Sequence, residues 1–173
     1  IGERLPYVDR VISKIVQDVN SSNVAFAQGL TDFESIAPDN VAWVRRGQEK
    51  FDYTLLDMGP SNSTNFLWFN LNKGTNTDGK PFVMPHKSLW FSDKRFRQAI
   101  SHGINRLGII RGVYFNRADI LHGYVSPKRK FWYNDNIRKY EYSTEKSKKL
   151  FAEMGFQYKG SRLYDTDNRP VEF

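Results

Sequence analysis

The sequence predicts an α/β fold, a mixed sheet flanked by helices, on three observations. Runs with helical period and runs of strand-like alternation interleave along its length. The 173 residues include 13 Phe, 9 Tyr and 4 Trp, enough apolar material to close a core and too much for a disordered chain. No linker, repeat or low-complexity tract divides it, so residues 1–173 read as a single α/β unit.

The first element is ambiguous. Val8, Val11, Ile12, Ile15 and Val16 fall at helical spacing, while their β-branched character and the preceding Pro6-Tyr7 suit a strand. Ser21 or Ser22 is placed to cap a short helix through Val24-Ala25-Phe26-Ala27, closed by Gly29. Pro38 suits a helix start, and Val41, Ala42 and Val44 carry that helix to Gly47. Phe51 to Met58 reads as a strand, residues 59–63 as a loop, and Asn65 to Leu71 as a second, aromatic-rich strand. Asn72 to Lys87 is polar, with Lys73-Gly74 and Asp78-Gly79 marking an exposed hairpin or loop.

Three helices follow. Ser92 caps one that runs to His102, with Phe96, Ala99 and Ile100 inward, and Leu107 to Phe115 is the next. After an aromatic loop holding Gly123 and Pro127, Ser143 opens a helix to Met154, with Glu145 in its first turn and Gly155 as its stop. Leu163-Tyr164 and Val171-Phe173 flank residues 165–170 as a hairpin.

Composition removes several classes of function. A mean hydropathy of -0.62 and the lack of an apolar run near 18 residues exclude a membrane-spanning helix. With no cysteine, disulfide frameworks, thiolate metal sites and cysteine nucleophiles are excluded. His86, His102 and His122 lie far apart and lack partners at metal-ligand spacing. Neither a phosphate-cradling glycine loop nor a nucleophile elbow occurs, and Asp165-Thr166-Asp167-Asn168 has Pro170 where a calcium loop needs glycine. The sequence thus offers no catalytic centre and calls for no cofactor or metal. Ile1-Gly2 at the start and the alternation Val171-Glu172-Phe173 at the end read as an excised piece of a larger protein.

The net charge of +7 is uneven: residues 1–79 hold seven Lys/Arg against ten Asp/Glu, and residues 80–173 hold nineteen against nine. Such a basic half suits nucleic acid, an anionic surface or an acidic partner, or is simply a solvated face. The run Lys128-Arg129-Lys130-Phe131-Trp132-Tyr133 is the chain's best candidate for a nucleic-acid-binding module, the alternative reading, with rings for base stacking and cations for phosphates. It is one short cluster, and its aromatics equally suit a pocket wall or loop packing.

Several stretches in order resemble one family. They are Leu5-Pro6-Tyr7-Val8-Asp9, Gln28-Gly29-Leu30-Thr31-Asp32, and Phe66-Leu67-Trp68-Phe69-Asn70-Leu71-Asn72. The most specific is Phe91-Ser92-Asp93-Lys94-Arg95-Phe96-Arg97-Gln98-Ala99-Ile100, ending in Asn105-Arg106. Gly123-Tyr124-Val125-Ser126-Pro127 and the helix from Tyr140 to Phe156 complete the set. Together they resemble the family 5 extracellular solute-binding proteins, the peptide, dipeptide and nickel receptors of bacterial ABC importers. Three departures stand out: Asn105 for the usual Asp, Tyr124 for a Pro or small residue, and a longer insertion from Lys73 to Leu89.

The resemblance implies that the first element is a strand and that the chain is a partial lobe of a type II periplasmic-binding-protein fold. It implies a substrate-binding component that captures oligopeptides or similar small solutes in an interlobe cleft and passes them to an ABC permease. It also implies a periplasmic or extracytoplasmic location, compatible with a lipid anchor on the full-length protein. The piece itself is expected to be monomeric, to bind no nucleic acid and to break no bond. Ser61, Asn62, Ser63, Thr64, Asn65 and Phe66 join two strands where relatives face the cleft, and Tyr124 and Trp132 are the candidate aromatic wall. Turn formation and core packing are the alternative roles of those same residues.

Overall fold

The computed structural model describes residues 4–59 and 63–173, which fall into two compact units meeting at Asp57-Met58. In the first unit, residues 4–16 form neither helix nor strand, and the apolar side chains of Val8, Val11, Ile12, Ile15 and Val16 stand exposed. That corrects the expected strand. A strand is made by its neighbour's hydrogen bonds, and no described segment supplies them.

Helix α1 spans Val19–Ala27. Its cap is Asp18, three residues ahead of the expected serine. The carboxylate accepts from the Ser21 backbone N–H at 2.7 Å and from its hydroxyl at 2.8 Å. These bonds hold the Asp18 carboxyl below its usual pKa. The helix closes as expected at Gly29, whose φ of +72° lets Leu30 N–H reach the Ala25 carbonyl at 2.9 Å.

Helix α2, Val41–Phe51, runs past the predicted stop at Gly47. That glycine serves close approach instead. The Tyr53 hydroxyl lies 2.5 Å from where a Cβ would stand, on its way to the Val44 carbonyl at 2.6 Å. The helix ends at Asp52, which adopts the left-handed conformation with φ +51°.

The expected strands at residues 51–58, almost all in the first unit, and at 65–71, in the second unit, fail too. Residues 53–59 and 63–71 carry no ladder, because no described strand lies beside them. Of the hairpin or loop expected at residues 72–87, the first part is present as a bridge between Thr75 and Pro81, with Gly79 at φ +75°, and the last three residues belong to a helix. Helix α3, Pro85–Ser92, was hidden behind that polar stretch; Pro85 opens it at the first helical position. Helix α4, Lys94–Gly103, is capped by Asp93 and not Ser92, with the carboxylate accepting from Arg95 N–H at 2.7 Å. Helix α5, Arg106–Gly112, stops short of the predicted Phe115 because Phe115 and Asn116 take φ of +50° and +60°. Helix α6, Thr144–Glu153, has its expected Ser143 cap, and Gly155 at φ +80° ends it.

The described sheet is the two-stranded antiparallel hairpin of β1 (Gln157–Lys159) and β2 (Arg162–Tyr164), so the expected mixed sheet is absent from the described residues. The predicted hairpin around residues 165–170 survives as a bridge from Tyr164 to Pro170 and a bond from Val171 N–H to the Leu163 carbonyl at 2.8 Å.

The core of this unit is aromatic. Phe96 on α4 has no exposed surface, and Trp90, Phe91, Phe151 and Phe156 surround it. Its ring meets Phe151 edge-on at 5.7 Å, and Phe151 stacks on Phe156 at 6.0 Å. Phe156 is placed by the end of α6: its N–H reaches the Phe151 carbonyl at 3.0 Å while Gly155 N–H reaches Ala152 at 2.9 Å, the Schellman pattern. Arg95 locks α4 to α6, donating to the Glu153 carbonyl at 2.9 Å while paired with Asp93 at 2.7 Å.

Replacing Phe96 by Ala should destabilise this unit by about 3–5 kcal/mol, the usual cost of emptying a buried aromatic site, read by denaturant unfolding. Asp93→Ala should cost about 1 kcal/mol through the lost cap. Its bond to Arg95 holds the Asp93 carboxyl below its ordinary pKa. The cap's contribution is therefore complete above about pH 4 and fades as pH falls further. Wild type and variant should converge in acid; a constant difference down to low pH would contradict this.

Candidate functional site

The site is built where the segment starting at Met58 meets the loop that follows α5. Of the nominated residues, Ser61 and Asn62 lie outside the described residues. Ser63, Asn65 and Phe66 are exposed and Thr64 is half-buried. Asn65 donates through Nδ2 to the Tyr114 hydroxyl. Phe66 meets the Tyr124 ring edge-on at 5.4 Å and leans on Trp68 at 5.1 Å. Two residues further along the loop, buried Ser126 starts a turn in which Arg129 N–H donates to Ser126 at 2.9 Å and Trp132 N–H to Arg129 at 2.8 Å. Lys128 then reaches back from this turn and donates Nζ to the Met58 carbonyl at 3.2 Å.

Three contacts therefore hold described residues of this stretch: Lys128 at Met58, Tyr114 at Asn65 and Tyr124 at Phe66. The structure brings Asn65, Phe66 and Tyr124 together. Trp132 is placed apart from them, its ring packed edge-on against Phe131 at 4.9 Å. Both Tyr124 and Trp132 keep more than two thirds of their surface in solvent, at 74% and 72%. An exposed ring of this size is costly to leave wet, and it is a ready partner for a ligand.

Residue-type reasoning missed Trp68 and Tyr114. Trp68 was signalled by its spacing of two from Phe66, which turns alternate side chains of an extended segment to one side. Tyr114 carried no local signal, since only tertiary contact brings it to Asn65.

Elsewhere among the described residues, both side-chain amide atoms of Asn23 and the hydroxyl of Thr31 are buried without a hydrogen-bond partner. A cavity of about 190 Å³ lies among His86, Trp90, Asp93, Arg95, Asp165 and Arg169. Its carboxylates are bound within the fold. Buried Asp165 accepts from the Trp90 indole at 3.1 Å and from Asp167 and Arg169 N–H at 3.0 and 2.8 Å. The Asp165–Asn168 segment is thus a turn that clamps α3, as read from its sequence. His102 Nδ1 lies 2.6 Å from the Glu141 carbonyl, so that nitrogen carries the proton. Among the described residues no group of His, Asp and Glu is placed to hold a metal ion, and no helix is long and apolar enough to cross a membrane. The arrangement offers amides, hydroxyls and aromatic faces, which suit binding.

The family described as bacterial extracellular solute-binding proteins, family 5 Middle, matches residues 2–173. A probable ABC transporter-binding protein of Deinococcus radiodurans is 30% identical over 180 residues, covering 99% of this chain and 28% of that protein. The dipeptide-binding protein of Escherichia coli is 26% identical over 153 residues, covering 88% of this chain and 25% of its own length. The oligopeptide-binding protein AppA of Bacillus subtilis is 23% identical over 173 residues, covering 99% and 28%. This chain thus spans little more than a quarter of the length of these relatives. It belongs to the bacterial extracellular solute-binding proteins of family 5.

Proposed function

We propose that the chain is part of one lobe of a two-lobed receptor that captures oligopeptides or similar small solutes outside the cytoplasm and hands them to an ABC permease. The relatives' names, dipeptide-binding and oligopeptide-binding, support the solute class, and the name ABC transporter-binding protein supports the transport role. The observation that carries the reading is the placement of Asn65 against Tyr114 and of Phe66 beside an exposed Tyr124. A peptide can be taken up there as an added strand. Main-chain hydrogen bonds then give affinity without fixing side-chain identity, and the rings accept apolar side chains of the guest. The second lobe closes the ligand in from the other side, as hinge-type receptors do.

Binding of short peptides to the full-length protein, followed by calorimetry, tests the proposal. Tyr124→Ala and Asn65→Ala should each weaken a bound peptide about tenfold, the equivalent of one good aromatic or amide contact. Wild-type affinity in both variants would remove this segment from the site.

A further inference from the structure

We infer that a second binding site, for the ring of a neutral sugar, lies between α1 and α2 in the first unit. It shares no residue with the peptide site proposed above and goes beyond that reading.

The inference starts from one side chain. Asn23 on α1 is 2% exposed, and neither its Nδ2 nor its Oδ1 has a hydrogen-bond partner among the described residues. A buried amide in that state is costly, because it has lost water and gained no other partner. Native proteins leave few such groups, and one that stays unpaired within its own fold points to a partner from outside. Asn23 needs a guest that both accepts and donates.

Asn23 lines a cavity of about 220 Å³ together with Asn20, Val24, Asn40 and Trp43. A cavity of ~150 Å³ already admits a benzene ring, so a six-membered ring with substituents fits. All five residues belong to the first unit and are described by the structure. Asn40 stands at the start of α2, yet its side chain makes no cap bond. Its Nδ2 instead donates to Asn20 Oδ1 at 3.4 Å. A bond of that length is weak and yields readily to a better partner, which frees both amides for a guest.

The lining selects the class of guest. None of the five side chains carries a charge, so the cavity holds nothing to attract an ion. Three amides each offer donors and an acceptor, and the exposed indole of Trp43 offers an apolar face. A single carboxamide or water would answer one amide and leave the indole unused. A sugar ring carries hydroxyls around its edge, which donate and accept, and C–H groups across its face. It therefore meets the amides and the indole at once.

The test uses the full-length protein and three neutral hexoses, glucose, galactose and mannose, followed by calorimetry. At least one should bind with a Kd of about 1 mM or tighter, the strength that a few hydrogen bonds and one ring contact supply. Asn23→Leu and Trp43→Ala should each weaken that hexose about tenfold or more, with peptide binding unchanged. Without sugar, Asn23→Leu should melt at the wild-type temperature or above it, because an apolar group of similar size replaces an unpaired amide. No binding of any of the three hexoses at about 50 mM would overturn the site. So would hexose binding that both variants leave unaltered, which places the sugar elsewhere. A lower melting temperature for sugar-free Asn23→Leu would show the amide partnered within the whole protein, and would overturn the site as well.

Discussion

Phe96 of α4 is sealed from solvent by rings contributed from α3, α6 and the residues just beyond α6, and the second unit is organised around it. The burial of so many aromatic side chains is the largest favourable term available to a unit with so little sheet. It also imposes geometry. Edge-on contacts at 5.7 to 6.3 Å fix the rotation of α4 against α6, and the Schellman turn at Gly155 is what places Phe156 in the cluster. Asp165 extends the same constraint to the C-terminal loop. Its buried carboxylate accepts hydrogen bonds from the Trp90 indole N–H and two backbone N–H groups, so the loop cannot leave without depriving the buried indole of its acceptor.

The proposed binding residues depend on this core indirectly. Phe69 packs on Phe91 at 5.0 Å and on Phe96 at 5.7 Å, which anchors the stretch that begins with Ser63. Three residues earlier, Phe66 turns its ring to Tyr124 and leaves the core. One short piece of chain therefore passes from a rigid aromatic interior to an exposed aromatic edge. A receptor gains from that arrangement, because a site held on a rigid scaffold loses less entropy when its ligand arrives.

Local signals in the sequence located the helices with their own punctuation. Ser143 and Gly155 bracket α6, and Gly29 ends α1, because capping and left-handed stops are written in single residues. Where two caps competed, the carboxylate was chosen over the hydroxyl: Asp18 before Ser21, and Asp93 after Ser92. Helix α3 was illegible because its apolar residues, Trp90 and Phe91, come at its end, after a polar approach. The strands at residues 51–58 and 65–71 were read from β-propensity, yet a strand needs a neighbour, and none is supplied by the described residues. Of the site, Tyr124 was legible as a departure from its family pattern. The bond from Lys128 to Met58 spans 70 residues and left no trace in either local sequence.

The central claim, that the segment after Met58 forms one edge of a peptide site, is most directly tested by hydrogen exchange on the full-length protein with and without a saturating mixture of short peptides. Main-chain recognition predicts slowed amide exchange within residues 63–71, with a smaller effect in the 126–133 turn. Unchanged exchange in both stretches, with protection confined to other parts of the protein, would contradict it.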